Sequence, residues 1–328
     1  MKKRKLGHSG IDVAPFTFGG NVGRGFALSS RKDCRMSVAY THAYQAEPQE
    51  KHLTYVTDQE APHDSGGIRP RVVVQVRDAG VTFRTADGVV TALSNVDLTI
   101  REGSFVSLIG PSGCGKTTLM RLIADLQQVT TGTVDIDGLD PHTARERREY
   151  GYVFQSPALL PWRSVVRNVE LPLEVMGVAR AERRKRAREQ LALVGLTEFD
   201  NKFPWQLSGG MQQRVSIARA LSLMPKLLLM DEPFGALDEI TRDHLNLQLA
   251  ELWRRTGKTC VFVTHSIVEA VFLSTHIVVM SPRPGRILEV IESPLPRERD
   301  LDMRDTPEFL EVAARVRDGL KRGHSYDD

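Results

Sequence analysis

No run in this 328-residue chain approaches the ~20 apolar residues that a helix needs to cross a bilayer. The basic start Met1–Lys5 is not followed by the apolar stretch of a secretory signal. Cysteine is scarce. Cys34, Cys114 and Cys260 show no paired spacing, which excludes a disulfide framework, argues against a zinc site and fits a reducing cytosol. His42, His52 and His63 form no metal-ligand pattern. Charge of one sign is lacking too: 44 Lys and Arg against 41 Asp and Glu leave a formal +3, too little to argue for nucleic acid. A role at a membrane would have to come through partner subunits. What the chain does have is 41% hydrophobic content, ample for the core of one large domain plus extras.

Leu207-Ser208-Gly209-Gly210-Met211-Gln212 opens a predicted helix whose apolar face is Val215, Ile217, Ala218 and Leu221. Free N–H groups at such a start favour anions, and glycine lets a phosphate approach the backbone. A second anion device is Gly110-Pro111-Ser112-Gly113-Cys114-Gly115-Lys116-Thr117, which fits G-x-x-x-x-G-K-[ST] at every fixed position. It follows a buried-strand pattern at Ser104–Ile109 and precedes helical spacing over Thr118–Leu126, the order this loop requires. Its N–H groups would cradle phosphate, Lys116 would reach the outer phosphates and Thr117 would sit on Mg²⁺. Cys114 reads as a small filler, since no base pattern surrounds it.

Three further runs end in chemistry-bearing residues. Leu227–Met230 leads into Asp231 and Glu232, placed to hold Mg²⁺ and to orient or deprotonate water. Thr259–Thr264 leads into His265, one predicted helix (Asp238–Trp253) further on and hence on the same sheet edge. Gly151–Phe154 leads into Gln155. Alone, each of these ends would read as an ordinary solvated turn; beside a phosphate loop they form a constellation.

Together these residues resemble the nucleotide-binding subunit of an ABC transporter, over about residues 72–322. The resemblance implies an α/β P-loop NTPase fold, with a RecA-like core, an antiparallel β subdomain and a helical subdomain at about 156–222. It implies ATP and Mg²⁺ as ligands, with Thr118 closing the phosphate loop and Gln155 joining Thr117 and Asp231 around the metal. Glu232 becomes the base and His265 the γ-phosphate contact. Such subunits pair head-to-tail, so Ser208, Gly209, Gly210 and Asp238 would complete the partner's site. Phe83 aligns with the aromatic that stacks on adenine, although a core or edge-strand aromatic would look the same. Implied partners are transmembrane permease subunits, a second ATP-binding subunit and, through the complex, a periplasmic or lipoprotein solute-binding protein. The implied place is peripheral, on the cytoplasmic side of the inner membrane.

Leu160–Val165, Glu269–Leu273 and Met280–Ile287 look like the importer branch for nitrate, sulfonates, taurine and pyrimidine-type precursors. Ser266 stands where many relatives carry aspartate, as a pyrimidine-precursor subgroup would. The alternative is a soluble ABC-type ATPase of DNA repair or translation. Repair members insert long coiled coils between the two anion devices, and translation members carry two cassettes; this chain shows neither. The basic run Arg180–Arg188 reads as a solvated helix face. Trp162 is either a partner contact or a packed aromatic. Thr306-Pro307 caps a last helix with Phe309, Leu310, Ala313, Val316 and Leu320 on one face.

Residues 1–70 stand apart from this pattern. Met1–Pro15 and Phe18-Gly19-Gly20 look like the opening of an aldo/keto reductase, a likeness that fades after Phe26. A (β/α)₈ barrel needs upwards of about 200 residues, and the catalytic tetrad of that family has no matching tract, so no reductase activity is expected. The polar composition of 27–70 favours a mobile, disordered linker. The expectation is a fusion remnant or mis-set start, with the folded protein beginning near Arg71 and residues 1–68 dispensable for ATPase activity and thermal stability.

Overall fold

A computed structural model describes residues 70–86 and 88–323, together with two short strands near the N-terminus. Those two, β1 (Arg4–Lys5) and β2 (Asp12–Val13), pair antiparallel, Arg4 opposite Val13. The linker expected over 27–70 lies outside the described residues but for its last one.

The second unit begins with β3 (Val72–Thr85) and β4 (Gly88–Arg101), a long antiparallel pair. β5 (Phe105–Ile109) is buried throughout and ends in the phosphate loop. Then come α1 (Lys116–Ile123), β6 (Thr131–Ile136), α2 (Pro141–Glu146) and β7 (Tyr150–Val153). Three helices follow: α3 (Val165–Val175), α4 (Arg180–Leu193) and α5 (Gly209–Leu221). The chain returns through β8 (Leu227–Asp231), α6 (Glu239–Thr256), β9 (Thr259–Val263), α7 (Ile267–Leu273), β10 (His276–Met280), β11 (Ile287–Glu292) and α8 (Pro307–Gly323).

Two sheets result. β4, β3 and β6 form an antiparallel sheet in that order. The larger sheet runs β11-β10-β5-β9-β8-β7, parallel except for the edge strand β11. Strands β5, β8 and β9 are buried at every position, the condition under which a parallel strand reads as an unbroken apolar run. Because β9 lies between β5 and β8, Leu108, Val263 and Asp231 share one line across the sheet. The loops leaving β5, β9, β8 and β7 therefore emerge side by side, at the edge where open α/β sheets bind ligands.

The helical part packs Val165, Val166 and Val169 of α3, Leu191 of α4 and Val215 of α5 into the main core. Its basic run is not simply a solvated face. Arg183 and Arg184 reach back from α4 to Glu170 on α3, at 3.5 and 3.0 Å, and Glu170 is buried. A buried carboxylate needs such partners; of the basic residues in this run only Arg180, Lys185 and Arg188 are exposed, and Arg188 pairs with Asp200 at 2.9 Å.

Two end-of-helix expectations are corrected. Leu126 falls beyond α1, because the chain turns at Asp125 with φ +47°, and its side chain is exposed. In α8 the buried stripe is Phe309, Val312, Ala313, Val316 and Gly319. Leu310 lies roughly 120° around the helix from Val316 at 100° per residue, and is 56% exposed. Thr306 caps α8 as expected, its hydroxyl accepting from the Phe309 N–H at 3.4 Å.

Asn168 secures the loop before α3. It is fully buried, donates to the carbonyls of Leu160, Arg163 and Ser164 at 3.1, 3.0 and 3.2 Å, and accepts from the Leu160 N–H at 2.7 Å. An Asn168→Ala change orphans several buried groups, at ~1–3 kcal/mol each when unrelieved. The expected loss is about 3 kcal/mol, read as a lower urea midpoint with unchanged slope.

Candidate functional site

The phosphate loop is preformed. Gly115 has φ +105°, and a Cβ there would stand 2.6 Å from the Leu93 side chain, so the turn into α1 requires glycine. The Lys116 ammonium, 4% exposed, donates to the carbonyls of Gly110 and Pro111 at 2.8 and 2.9 Å. A buried cation held only by neutral groups is poised for an anion. Cys114 is buried, and burial pushes its thiol pKa up despite the ammonium 3.8 Å away. It fills space and is no thiolate nucleophile.

One open cleft of about 370 Å³ is lined by Phe83, Val90, Ala92, Ser112, Gly113, Gly115, Lys116, Thr117, Thr118, Glu232, His265 and Arg283. Phe83 is half-buried at its antiparallel-sheet wall, with Val90 across the strand pair. On the opposite side the Thr117 hydroxyl donates to Asp231 Oδ1 at 2.9 Å, and the Tyr152 hydroxyl donates to Oδ2 at 3.3 Å. Burial, then the Asp231 charge, raises the Tyr152 pKa, which keeps this donor protonated.

Glu232 and His265 meet at 2.6 Å, Oε1 to Nε2. Glu232 has φ +47°, a region costly for a side-chain-bearing residue, and its N–H donates to the Val263 carbonyl at 3.1 Å. The carboxylate is thus aimed at His265 by the neighbouring strand. Ser266 caps α7 by accepting from the Glu269 N–H at 3.3 Å. Aspartate would cap equally well.

The other expected residues lie apart. Gln155 is exposed beyond β7, its amide nitrogen 3.9 Å from where a Gly235 Cβ would stand. Ser208 caps α5, accepting from the Met211 N–H at 3.3 Å, while Gly210 is buried against α6, where a Cβ would meet Thr241 at 2.9 Å. Asp238 caps α6, and the N–H and hydroxyl of Thr241 hold its carboxyl below the usual range. None of Ser208, Gly209, Gly210 and Asp238 lines the cleft.

A family model for ABC transporters matches residues 93–235. The taurine import ATP-binding protein of Rhizobium johnstonii is 44% identical over 262 residues, 78% of this chain and 98% of that protein. An uncharacterized ABC transporter ATP-binding protein of Methanocaldococcus jannaschii is 45% identical over 253 residues, 77% of this chain and 93% of that one. This chain belongs to the ABC transporter ATP-binding family. Among solved structures, the dimeric post-hydrolysis state of an ATP-binding cassette bound to ADP and Pi aligns with TM-score 0.59 and 38% identity, over 67% of this chain and 98% of that one.

The ABC cassette described here is therefore an ATP-binding, ATP-hydrolysing subunit. Two residues at or beside the cleft escape a reading of motifs. Arg283, in the Pro-Arg-Pro-Gly turn, donates to the Gly113 carbonyl at 3.4 Å and walls the cleft. Gly285 in the same turn accepts from the Ser94 N–H and donates to the Ala92 carbonyl. The tract is visible in the sequence, but only the placing of β10 beside β5 brings it to the phosphate loop. Tyr152 is the other; its alternation with Val153 along β7 is the only sequence signal for it.

Replacing a positioned base typically slows a reaction ~10²–10⁴-fold. Glu232→Gln is expected to keep ATP affinity near normal and lower steady-state phosphate release by at least that lower bound. Near-normal turnover would remove Glu232 from the role.

Proposed function

We propose that this ABC cassette is the motor of a solute importer and works as a head-to-tail pair of copies bound to two permease subunits. The observation that carries the reading is the separation within one chain of two anion devices. The cleft has the phosphate loop, Glu232 and His265, and lacks the Ser208–Gly210 run, which is exposed at Ser208 and Gly209. A second copy supplies what one copy lacks.

In this reading Lys116 and the loop amides hold the ATP phosphates and Phe83 faces the base. Glu232 would take the proton of the attacking water, and His265, paired with that carboxylate, would hold the γ-phosphate. Ser208 and Gly210 of one copy close over the ATP held by the other. Paired oxygen donors suit Mg²⁺, so Thr117 and Asp231, with Gln155 approaching from β7, would hold the ion, which when bound offsets phosphate charge. Asp238, as the N-cap of α6, sets the segment that faces the second copy.

The imported solute falls in the nitrate, sulfonate, taurine and pyrimidine-precursor group, and relatives named for taurine import favour its sulfonate end. No cleft residue reads cargo; a permease and a solute-binding protein reached through it would do so. Trp162, 70% exposed on the loop held by Asn168, suits a permease contact better than packing. That contact would hold the subunit at the cytoplasmic face of the membrane. Residues 1–70 are proposed to be an extension to the cassette of 71–322.

Affinity purification of the full chain from detergent-solubilised membranes of its native cell tests this. Integral membrane subunits in equal number to the cassette are the expected result. Recovery only from the soluble fraction, with salt-sensitive binding to DNA or ribosomes, would favour the soluble alternative.

A further inference from the structure

Glu269 is 6% exposed in the first turn of α7, and the chemistry above does not use it. One carboxylate oxygen, Oε2, accepts from the Thr264 hydroxyl, and that hydroxyl accepts from the Ser266 N–H at 3.0 Å. The two residues flanking His265 are thus tied to each other and to Glu269. The other oxygen, Oε1, faces Arg242 Nε on α6 at 3.7 Å, too far for a hydrogen bond. Arg242 reaches the other way with Nη2, donating to the Leu237 carbonyl at 2.7 Å, immediately before Asp238.

Buried polar groups are nearly always satisfied. Here Arg242 Nε has no hydrogen-bond partner, and Glu269 Oε1 has none of good geometry, its nearest polar support being the amide of Asn246, one turn further along α6. Arg242 and Glu269 flank a cavity of about 250 Å³ that is also lined by Glu232, Gly235 and His265. A purely structural ion pair would be closed. This one has slack of less than an ångström between two segments that each reach the site.

We propose that Glu269 and Arg242 are a positioning pair that links the Leu237–Asp238 segment to His265. The motion that closes the gap rests on the pairing of two copies proposed above. When the second copy presses on Leu237–Asp238, Arg242 moves with the Leu237 carbonyl and closes on Glu269. Glu269 then sets the Thr264–Ser266 segment, and with it the distance of His265 from Glu232 and the γ-phosphate. Neither residue lines the cleft of the phosphate loop.

The test is steady-state ATPase kinetics of the full chain with Glu269→Gln, Arg242→Lys and the double variant, with thermal midpoints and binding of a fluorescent ATP analogue. Arg242→Lys keeps the charge but loses the fork that reaches both partners. Each single change is expected to lower kcat at least about fivefold, with KM and nucleotide affinity unchanged within about twofold. The double is expected to be no slower than the slower single, as groups acting through one link are non-additive. Losses that multiply in the double, or kcat within twofold of wild type in either single, would overturn the proposal. Should Glu269→Gln lower the melting temperature sharply, Arg242→Lys, on a partly exposed side chain, decides the matter by the same kcat criterion. ATP-dependent dimer formation in the Glu232→Gln background, measured in parallel, reports on the pairing itself. A normal dimer with unaffected variant kinetics counts against Glu269 and Arg242 alone.

Discussion

The site depends on one constraint, the burial of β5, β9 and β8 on both faces. Strands so enclosed can present side chains to a ligand only at their ends. Their register brings Leu108, Val263 and Asp231 into line, so the phosphate loop, His265 and the Asp231-Glu232 pair leave the sheet as neighbours. Gln155 follows from the next strand. Lys116, the Thr117–Asp231 hydrogen bond and the Glu232–His265 contact are consequences of that alignment.

The alignment builds half of a site. The phosphate loop, Glu232 and His265 line one cleft, while the Ser208–Gly210 run stands at the start of α5, on the helical part, outside it. α5 is locked to α6 where Gly210 leaves no room for a side chain against Thr241, and α6 starts at Asp238. The helix that presents the second anion device is therefore packed on the helix that carries Arg242, which faces Glu269 near His265. In the proposed pairing, a second copy that touches one end of this path has a physical route to Glu232 and His265.

Much of this was legible in the sequence, for a physical reason. Strands buried on both faces write themselves as unbroken apolar runs, and the residue after each run marks the site edge; Gln155, Asp231, Glu232 and His265 were all found in this way. The cap at Thr306 was equally readable, because its hydroxyl acts on a neighbour three residues away. Helix ends and faces were less so. Leu126 and Leu310 continue an apolar pattern, but the turn at Asp125 and the placing of α8 on the sheet are tertiary facts. Long-range polar pairing was the least readable. Nothing local distinguishes Arg183 and Arg184, which neutralise Glu170, from solvated arginines. Nor does any local pattern join Arg283 to Gly113 or Arg242 to Glu269, which come from elements far apart in the chain.

The central claim is that each ATP is held by the phosphate loop of one copy and the Ser208–Gly210 run of another. Mixing two inactive proteins, Lys116→Ala and Ser208→Arg, tests it most directly. A mixed dimer has one site with both defects and one with none. Half the dimers in an equal mixture are mixed, so about a quarter of wild-type ATPase activity should return if the two sites of a symmetric pair act independently. A mixture as inactive as its components would contradict the account, since it would mean that both devices serve the ATP bound to their own chain.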